Sequence, residues 1–130
     1  MNDKHIILNR IKTPDGTILT SYYRHDYKVY KDKNGMIYMV DGGNDYLRRN
    51  ANEIPHIELS VFNTDDFRII RDNMHWGTRG KDGKSPLQWV LLKHLTTNHI
   101  RSIIETQKQL PEWKIDLFIK ELDYRKDLQI

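Results

Sequence analysis

Two hydrophobic periods divide this chain. In its first half, short apolar runs are broken by turn residues; in its second half, apolar residues recur every three or four positions. The run His5-Ile6-Ile7-Leu8-Asn9-Arg10-Ile11 is rich in branched residues that suit a pleated surface, and it ends at Pro14-Asp15-Gly16. Proline fixes φ at the first corner of a turn and glycine accepts positive φ, so that triplet predicts a reversal. Ile18 to Tyr23 predicts the next strand, and Tyr27-Lys28-Val29-Tyr30 its continuation or another. Lys33-Asn34-Gly35 predicts a hairpin turn whose twist matches its strands. Met36-Ile37-Tyr38-Met39-Val40 reads as a strand covered on both faces, Asp41-Gly42-Gly43 as a bend, and Asn44 to Arg49 as a short further strand. The first half is therefore expected to be an antiparallel β-meander of about four or five strands.

Helical spacing then takes over. Thr64 is placed to cap a helix whose first turn carries Asp65 and Asp66, negative charges favoured by the helix dipole. Phe67, Ile70 and Met74 would share its inner side. Gly77 to Ser85 reads as a loop and Leu87 to Leu92 as an apolar strand. Thr96 and Thr97 open another helix striped by Ile100, Ile103 and Ile104, and Pro111 suits the first position of a final one, where its missing N–H costs nothing. In that last helix Trp113, Ile115, Leu117, Phe118, Ile119 and Leu122 spread around most of the circumference. An apolar arc wider than about 100° needs covering from two sides, and a second copy of the chain is the simplest second cover. The expected class is α+β: an N-terminal antiparallel β-meander with a C-terminal two-helix hairpin. Residues 1–92 would form the β-sheet domain with one inserted helix at about 64–74, and 93–130 the helical hairpin and oligomerisation element.

Composition narrows the function classes. At 130 residues, with 38% hydrophobic and 30% charged positions, the chain is too apolar for disorder and large enough for one small core. No run approaches the ~18 apolar residues of a membrane span, and Met1-Asn2-Asp3-Lys4 is not expected to begin a signal peptide, so an intracellular, soluble protein is expected. The absence of cysteine excludes disulfides, thiolate zinc and cysteine nucleophiles. A net charge of +3 falls short of a DNA-coating protein, and no stable nucleic-acid partner is expected. Residues 67–101 nevertheless hold seven cations (Arg68, Arg71, Arg79, Lys81, Lys84, Lys93, Arg101) against Asp72 and Asp82, with His75, His94 and His99 among them. Gathered by the fold they would bind an anion; left apart they would be a solvated positive face.

Few motifs point to bond-breaking. Gly-x-Ser-x-Gly is missing, Gly83-Lys84-Ser85 is followed by Pro86 with Thr78 where a phosphate loop needs glycine, and His94 and His99 are one residue too far apart for shared zinc on a helix. His25 with Asp26, Asp41 or Asp45 can serve as a base and its partner, or hold a hard metal. Neighbours on a strand face opposite ways, however, so His25 and Asp26 would share a substrate only at a bulge. The plain alternative has Asp41-Gly42-Gly43 as a tight turn and His25 bonded to a backbone carbonyl. More telling is His75-Trp76-Gly77-Thr78-Arg79-Gly80-Lys81, where an indole stands beside flexible glycines and two cations. Purine rings stack on such aromatics for about 1–3 kcal/mol, and arginine forks onto phosphate. Trp89 would add a second platform and Asn98 an amide to read a base edge, beside a helix N-terminus at Thr96 to His99; equally, Trp76 and Trp89 can be core residues.

The segments His25-Asp26-Tyr27, Val40-Asp41-Gly42-Gly43-Asn44-Asp45-Tyr46-Leu47-Arg48-Arg49, Trp76-Gly77-Thr78-Arg79-Gly80 and Glu121-Leu122-Asp123-Tyr124-Arg125 resemble a group of small phage and prophage proteins, and within it the Thoeris anti-defence sponge family. The order of elements is similar over essentially the whole chain. Relatives with the Asp-Gly-Gly segment often carry paired cysteines; this chain has none, so a zinc-stapled variant is excluded. The resemblance implies a homodimer or higher oligomer in the cytoplasm of an infected bacterium. It would bind a cyclic ADP-ribose isomer without cleaving it, needs no cofactor, metal or catalytic residue, and sometimes takes cyclic oligonucleotides at a separate site. Under that reading Trp76 and Trp89 stack on the ligand, Arg79, Arg101 and Arg125 hold the pyrophosphate, and Asn98 reads the adenine. Arg24, His25, Arg48 and Arg49 would form the second site. Two other classes compete: a small metal- or His/Asp-dependent nuclease or cyclic-nucleotide phosphodiesterase, and an adaptor that blocks a host protein through the apolar last helix.

Overall fold

A computed structural model describes residues 4–50 and 55–128 of the chain. Antiparallel strands come first and helices follow, the last of them long, which is the α+β class that the hydrophobic pattern predicts. Two compact units divide at Met74/His75, so the strand after the loop belongs with the helices rather than with the β-sheet region expected to extend to residue 92.

The first unit is organised around β1 (Ile6–Lys12). Ile6, Ile7, Leu8 and Asn9 are all buried, so this strand is covered on both faces. β2 (Ile18–Ser21) and β6 (Ile57–Glu58) pair antiparallel with β1, Ile11 lying opposite both Leu19 and Glu58. β7 (Val61–Phe62) pairs with the start of β1. A second sheet has the order β3-β4-β5, from Lys28–Lys31, Ile37–Asp41 and Arg48–Arg49. Ile11 and Leu19 of one sheet form a common core with Tyr38 and Val40 of the other, and Tyr30 packs against it. The antiparallel strands expected as a meander of about four or five are distributed over two small sheets. The Asn9 amide helps join them, donating to the Asp41 carbonyl at 2.8 Å and the Arg48 carbonyl at 3.1 Å.

Local chemistry explains further departures. β4 is covered on one face only: Tyr38 and Val40 are buried while Ile37 stays 48% exposed. The hairpin at 32–36 is closed by Asp32, whose Oδ1 accepts from the N–H groups of Asn34 and Met36 at 2.9 Å. Gly35 alone in that turn takes positive φ, at 84°, giving a turn with a glycine bulge rather than the two-residue Asn-Gly type. Helix α1 runs over Phe67–Asn73 and is capped by Asp66, whose carboxylate accepts from Arg68 N–H at 2.9 Å. Thr64 is therefore not the cap, because Asp65 is drawn back to accept from Phe62 N–H. The strand expected over Asn44 to Arg49 shortens to Arg48–Arg49, since Gly42 O takes the N–H groups of Asp45 and Tyr46 into a turn.

At the Pro14 turn, Asp15 accepts from the hydroxyls of Thr13 and Tyr30, both at 2.5 Å, and from Thr17 N–H at 3.0 Å. Donation by Thr13, then by Tyr30 and Thr17, holds the Asp15 carboxyl well below its ordinary 3.8, while Asp15 in turn pushes the Tyr30 phenol up. A depressed carboxyl pKa gives stability that is complete above the unfolded value and lost as pH falls towards the folded one. The urea midpoint of wild type is therefore expected to exceed that of Tyr30→Phe at pH 6, with the difference shrinking steadily below about pH 4.

The second unit begins with the hairpin of β8 (His75–Thr78) and β9 (Gln88–Leu91). A 3-10 turn at Leu92–His94 leads into α2 (Thr97–Thr106), and α3 (Glu112–Leu128) packs back on it. Thr96 caps α2 as its sequence predicts, accepting from His99 N–H at 3.1 Å. Leu92, Leu95, Ile100, Ile103, Leu117 and Phe118 are buried in this unit. α3 is half-wrapped: Leu117, Phe118 and Glu121 are buried, whereas Ile119 and Leu128 are exposed. Residues 129–130, at the end of the expected hairpin, lie outside the described residues.

Candidate functional site

Positive charge is concentrated in one unit rather than shared between the two. Residues 75–130 carry ten lysines and arginines against seven acidic residues, while residues 1–74 carry eleven of each. The excess positive charge of the chain therefore resides in the hairpin-and-helix unit.

Antiparallel register decides which hairpin side chains share a face. Trp76 lies opposite Val90 and Gly77 opposite Trp89, so the two indoles point to opposite faces. On one face Trp76 meets Phe118 edge-on, with ring centroids 5.4 Å apart and planes at 90°, which makes Trp76 a packing residue. On the other face Trp89 lies over Gly77. A Cβ there would sit 3.1 Å from two indole carbons and 3.3 Å from Leu87. Glycine thus lets the indole lie flat against the opposite strand. Trp89 is 38% exposed and Leu87 46% exposed. Arg79, just past the end of β8, closes the hairpin by accepting Ser85 N–H at its carbonyl, 2.9 Å away. Trp89 and Leu87 share one face of the hairpin and Trp76 packs on the other, so the two indoles do not form a two-sided clamp.

The loop beyond holds itself in shape: Gly83 N–H donates to Gly80 O at 3.2 Å, and Asp82 accepts from Lys84 N–H at 2.9 Å. Lys81 and Lys84 are exposed there. Its conformation places Gly83-Lys84-Ser85 in a hairpin loop, not between a strand and a helix as a phosphate loop would require. Asn98 and Arg101 are exposed on the first turns of α2. The side chains of Arg79, Asn98 and Arg101 make no hydrogen bond or ion pair with other described residues.

Arg125 is committed elsewhere. Its Nε donates to Glu121 Oε2 at 2.7 Å, Nη1 to the Thr97 hydroxyl at 3.1 Å, and Nη2 to the carbonyls of Leu92 and Lys93 at 3.2 and 3.3 Å. Phosphate binding would have to break this set, so Arg125 belongs to the fold and leaves the expected pyrophosphate group. Glu121, fully buried beneath it, has no role in the sequence pattern; only its i,i+4 spacing from Arg125 hints at the pair.

The four residues of the expected second site separate into two environments. Arg49 is mostly buried, donating to Glu58 at 2.7 Å, to the Asn9 side chain at 2.7 Å and to Ser60 at 2.9 Å, and so braces the first unit. Arg24, His25 and Arg48 are exposed. Arg24 pairs with Asp45 at 3.1 Å and Arg48 with Asp41 at 3.3 Å. His25 does not turn to Asp26, which is buried and accepts from Tyr22 N–H and Lys28. Nor does it bond a carbonyl: its Nδ1 is 2.7 Å from the hydroxyl of Tyr46. Among the described residues no group of three or more histidines or carboxylates is arranged to hold a metal ion. No helix among them is long and apolar enough to cross a membrane. The chain matches no protein family, no curated protein and no solved structure.

Proposed function

We propose that this chain binds and sequesters a cyclic ADP-ribose-type nucleotide without cleaving it, in the manner that the resemblance to Thoeris anti-defence sponges implies. One observation carries the reading: an indole laid over a glycine, part-exposed, with an unpaired arginine at the turn of the same hairpin in a positively charged unit. Trp89 supplies the stacking face, Arg79 and Arg101 the charge-assisted bonds to phosphate, and Asn98 the contact to a base edge. Lys81 and Lys84 raise the local positive potential. Trp76 and Arg125 take no part. The same reading has the chain acting inside an infected bacterium as a homodimer or higher oligomer through α3, where Ile119 and Leu128 offer uncovered apolar surface.

Calorimetry against a panel of cyclic ADP-ribose isomers and cyclic oligonucleotides tests it, followed by mass analysis of the ligand recovered after denaturation. Tight binding of one isomer and its intact recovery are expected. Trp89→Ala should weaken that binding by roughly 5- to 150-fold, the equivalent of a lost stack of about 1–3 kcal/mol, with little change in melting temperature. Trp76→Ala should do the reverse, lowering stability by about 3 kcal/mol through the lost packing on Phe118. Binding to no cyclic ADP-ribose isomer, or recovery of the bound isomer in cleaved form, would overturn the proposal.

A further inference from the structure

His25 is the one non-glycine residue with positive φ among the described residues, at 65°. Histidine adopts that region only at an energetic cost, and such strain persists where its surroundings over-determine it. The residue stands third in a turn closed by Asp26 N–H, which donates to the Tyr23 carbonyl at 3.0 Å, and two glycines shape the neighbouring 41–46 turn. Gly42 lies under Tyr46, where a Cβ would come within 2.1 Å of the Tyr46 carbonyl and 2.4 Å of its ring. Gly43 lies against the Tyr22–Tyr23 backbone at a similar distance. Together they press the 41–46 turn onto the segment leading to His25, bringing the Tyr46 hydroxyl to His25 Nδ1.

A polar chain runs inward from that contact. The Tyr46 hydroxyl is 2.7 Å from His25 Nδ1 and 3.4 Å from Asp41 Oδ2. Asp41 is buried, its Oδ1 taken by Gly42 N–H at 2.8 Å. When the phenol hydrogen is directed to Asp41, which only accepts, the phenol oxygen accepts from His25 Nδ1–H. In that arrangement His25 Nε2, on an exposed ring, is the proton acceptor. Burial first, and the Asp41 charge second, raise the Tyr46 phenol above its ordinary 10.0, so it stays protonated and is no nucleophile. The exposed guanidinium groups of Arg24 and Arg48 flank the chain through Asp45 and Asp41. Tyr27, on the same segment as His25, is 54% exposed.

We infer that His25, positioned by Tyr46 and Asp41, is a general base acting on ribonucleotide phosphodiesters, at a site separate from the hairpin face. An imidazole beside an un-ionised phenol can move a proton but brings no nucleophile, so the nucleophile must come with the substrate. A ribose 2′-hydroxyl next to a phosphodiester meets that need. His25 Nε2 takes the 2′-hydroxyl proton; the 2′-oxygen forms a bond to phosphorus; the bond from phosphorus to the 5′-oxygen breaks; and the departing oxygen takes a proton from water. The products are a 2′,3′-cyclic phosphate and a 5′-hydroxyl, and His25 returns its proton to solvent. The imidazolium formed on the way is stabilised by Tyr46 and Asp41, and the charge on phosphorus by Arg24 and Arg48.

A fluorescent single-stranded RNA and the DNA of the same sequence test the inference over pH 5–8. Cleavage of the RNA alone is expected, with a 2′,3′-cyclic phosphate found by mass analysis. His25→Asn should reduce the rate by about 100-fold or more, the usual contribution of a positioned base. Asparagine tolerates the left-handed region, so the melting temperature should hold. His25→Gly, which removes the strain, gives a second inactive, folded variant if asparagine disturbs the turn. Tyr46→Phe should displace the pH profile of the cleavage rate, which a merely structural tyrosine would leave in place. Trp89→Ala should leave cleavage unchanged, so this activity and ligand sequestration stand or fall separately. No RNA cleavage, equal cleavage of DNA, or wild-type rates in both His25 variants would overturn it.

Discussion

Truncating Arg125 to alanine is expected to destabilise the hairpin-and-helix unit by about 3–5 kcal/mol, the usual penalty for stranding one member of a buried ion pair. The Glu121 side chain is fully buried and that of Arg125 18% exposed, so solvent can do little for the carboxylate left behind. The loss extends beyond the pair. The carbonyls of Leu92 and Lys93 and the hydroxyl of Thr97 all lose a donor, and with it goes the tie between the end of α3 and the start of α2. Arg125→Lys should recover only part of the stability, because a single ammonium cannot reproduce a fork that reaches four acceptors. Replacing both partners with apolar residues of similar volume, Glu121→Leu with Arg125→Met, should come much closer to wild type. Urea unfolding of the series measures this. An Arg125→Ala protein that melts like wild type but no longer binds a cyclic nucleotide would return Arg125 to the ligand and remove it from the fold.

That contrast shows how far the sequence can be read. The i,i+4 spacing of Glu121 and Arg125 is visible in the chain, but their burial is not, because it depends on where the 3-10 turn at Leu92–His94 lies against α3. Trp76 and Trp89 teach the same lesson in a strand. Both are legible as aromatic residues on neighbouring strands, yet whether they share a face depends on register, and a slip of one residue would bring them together. Turn geometry sets that register, and nothing in Arg79 to Pro86 announces it. Signals written in consecutive residues fare better: the Thr96 cap, the Pro14-Asp15-Gly16 reversal and the helical stripe of Ile100 and Ile103 all form as expected. His25 lies at the other extreme. Its left-handed backbone belongs to the turn that Asp26 N–H closes on the Tyr23 carbonyl, and its side-chain partner is Tyr46, a residue to which spacing assigns no role.

Gly43→Ala is expected to cost the first unit more than about 4 kcal/mol, a range reached by few single substitutions. Its Cβ would fall 2.1 Å from the Tyr23 nitrogen and 2.5 Å from the Tyr22 carbonyl carbon and the Tyr23 oxygen. Those are backbone atoms of a neighbouring segment, so no rotamer change relieves the contact, and the turn must lift away. Gly42→Ala meets the Tyr46 carbonyl at 2.1 Å and should behave similarly. Gly16, Gly35 and Gly83 provide the control, since each has positive φ but nothing within 4 Å of an added methyl. Alanine there should cost only the backbone term, about 1–2 kcal/mol. Conformation and contact are thereby separated within one protein: all five glycines share the first, and only Gly42 and Gly43 add the second. Denaturant midpoints across the five alanine variants give the comparison. If Gly43→Ala unfolds together with the three open positions, the turn is not seated on Tyr22–Tyr23, and the contact between His25 and Tyr46 loses the support that the strained histidine requires.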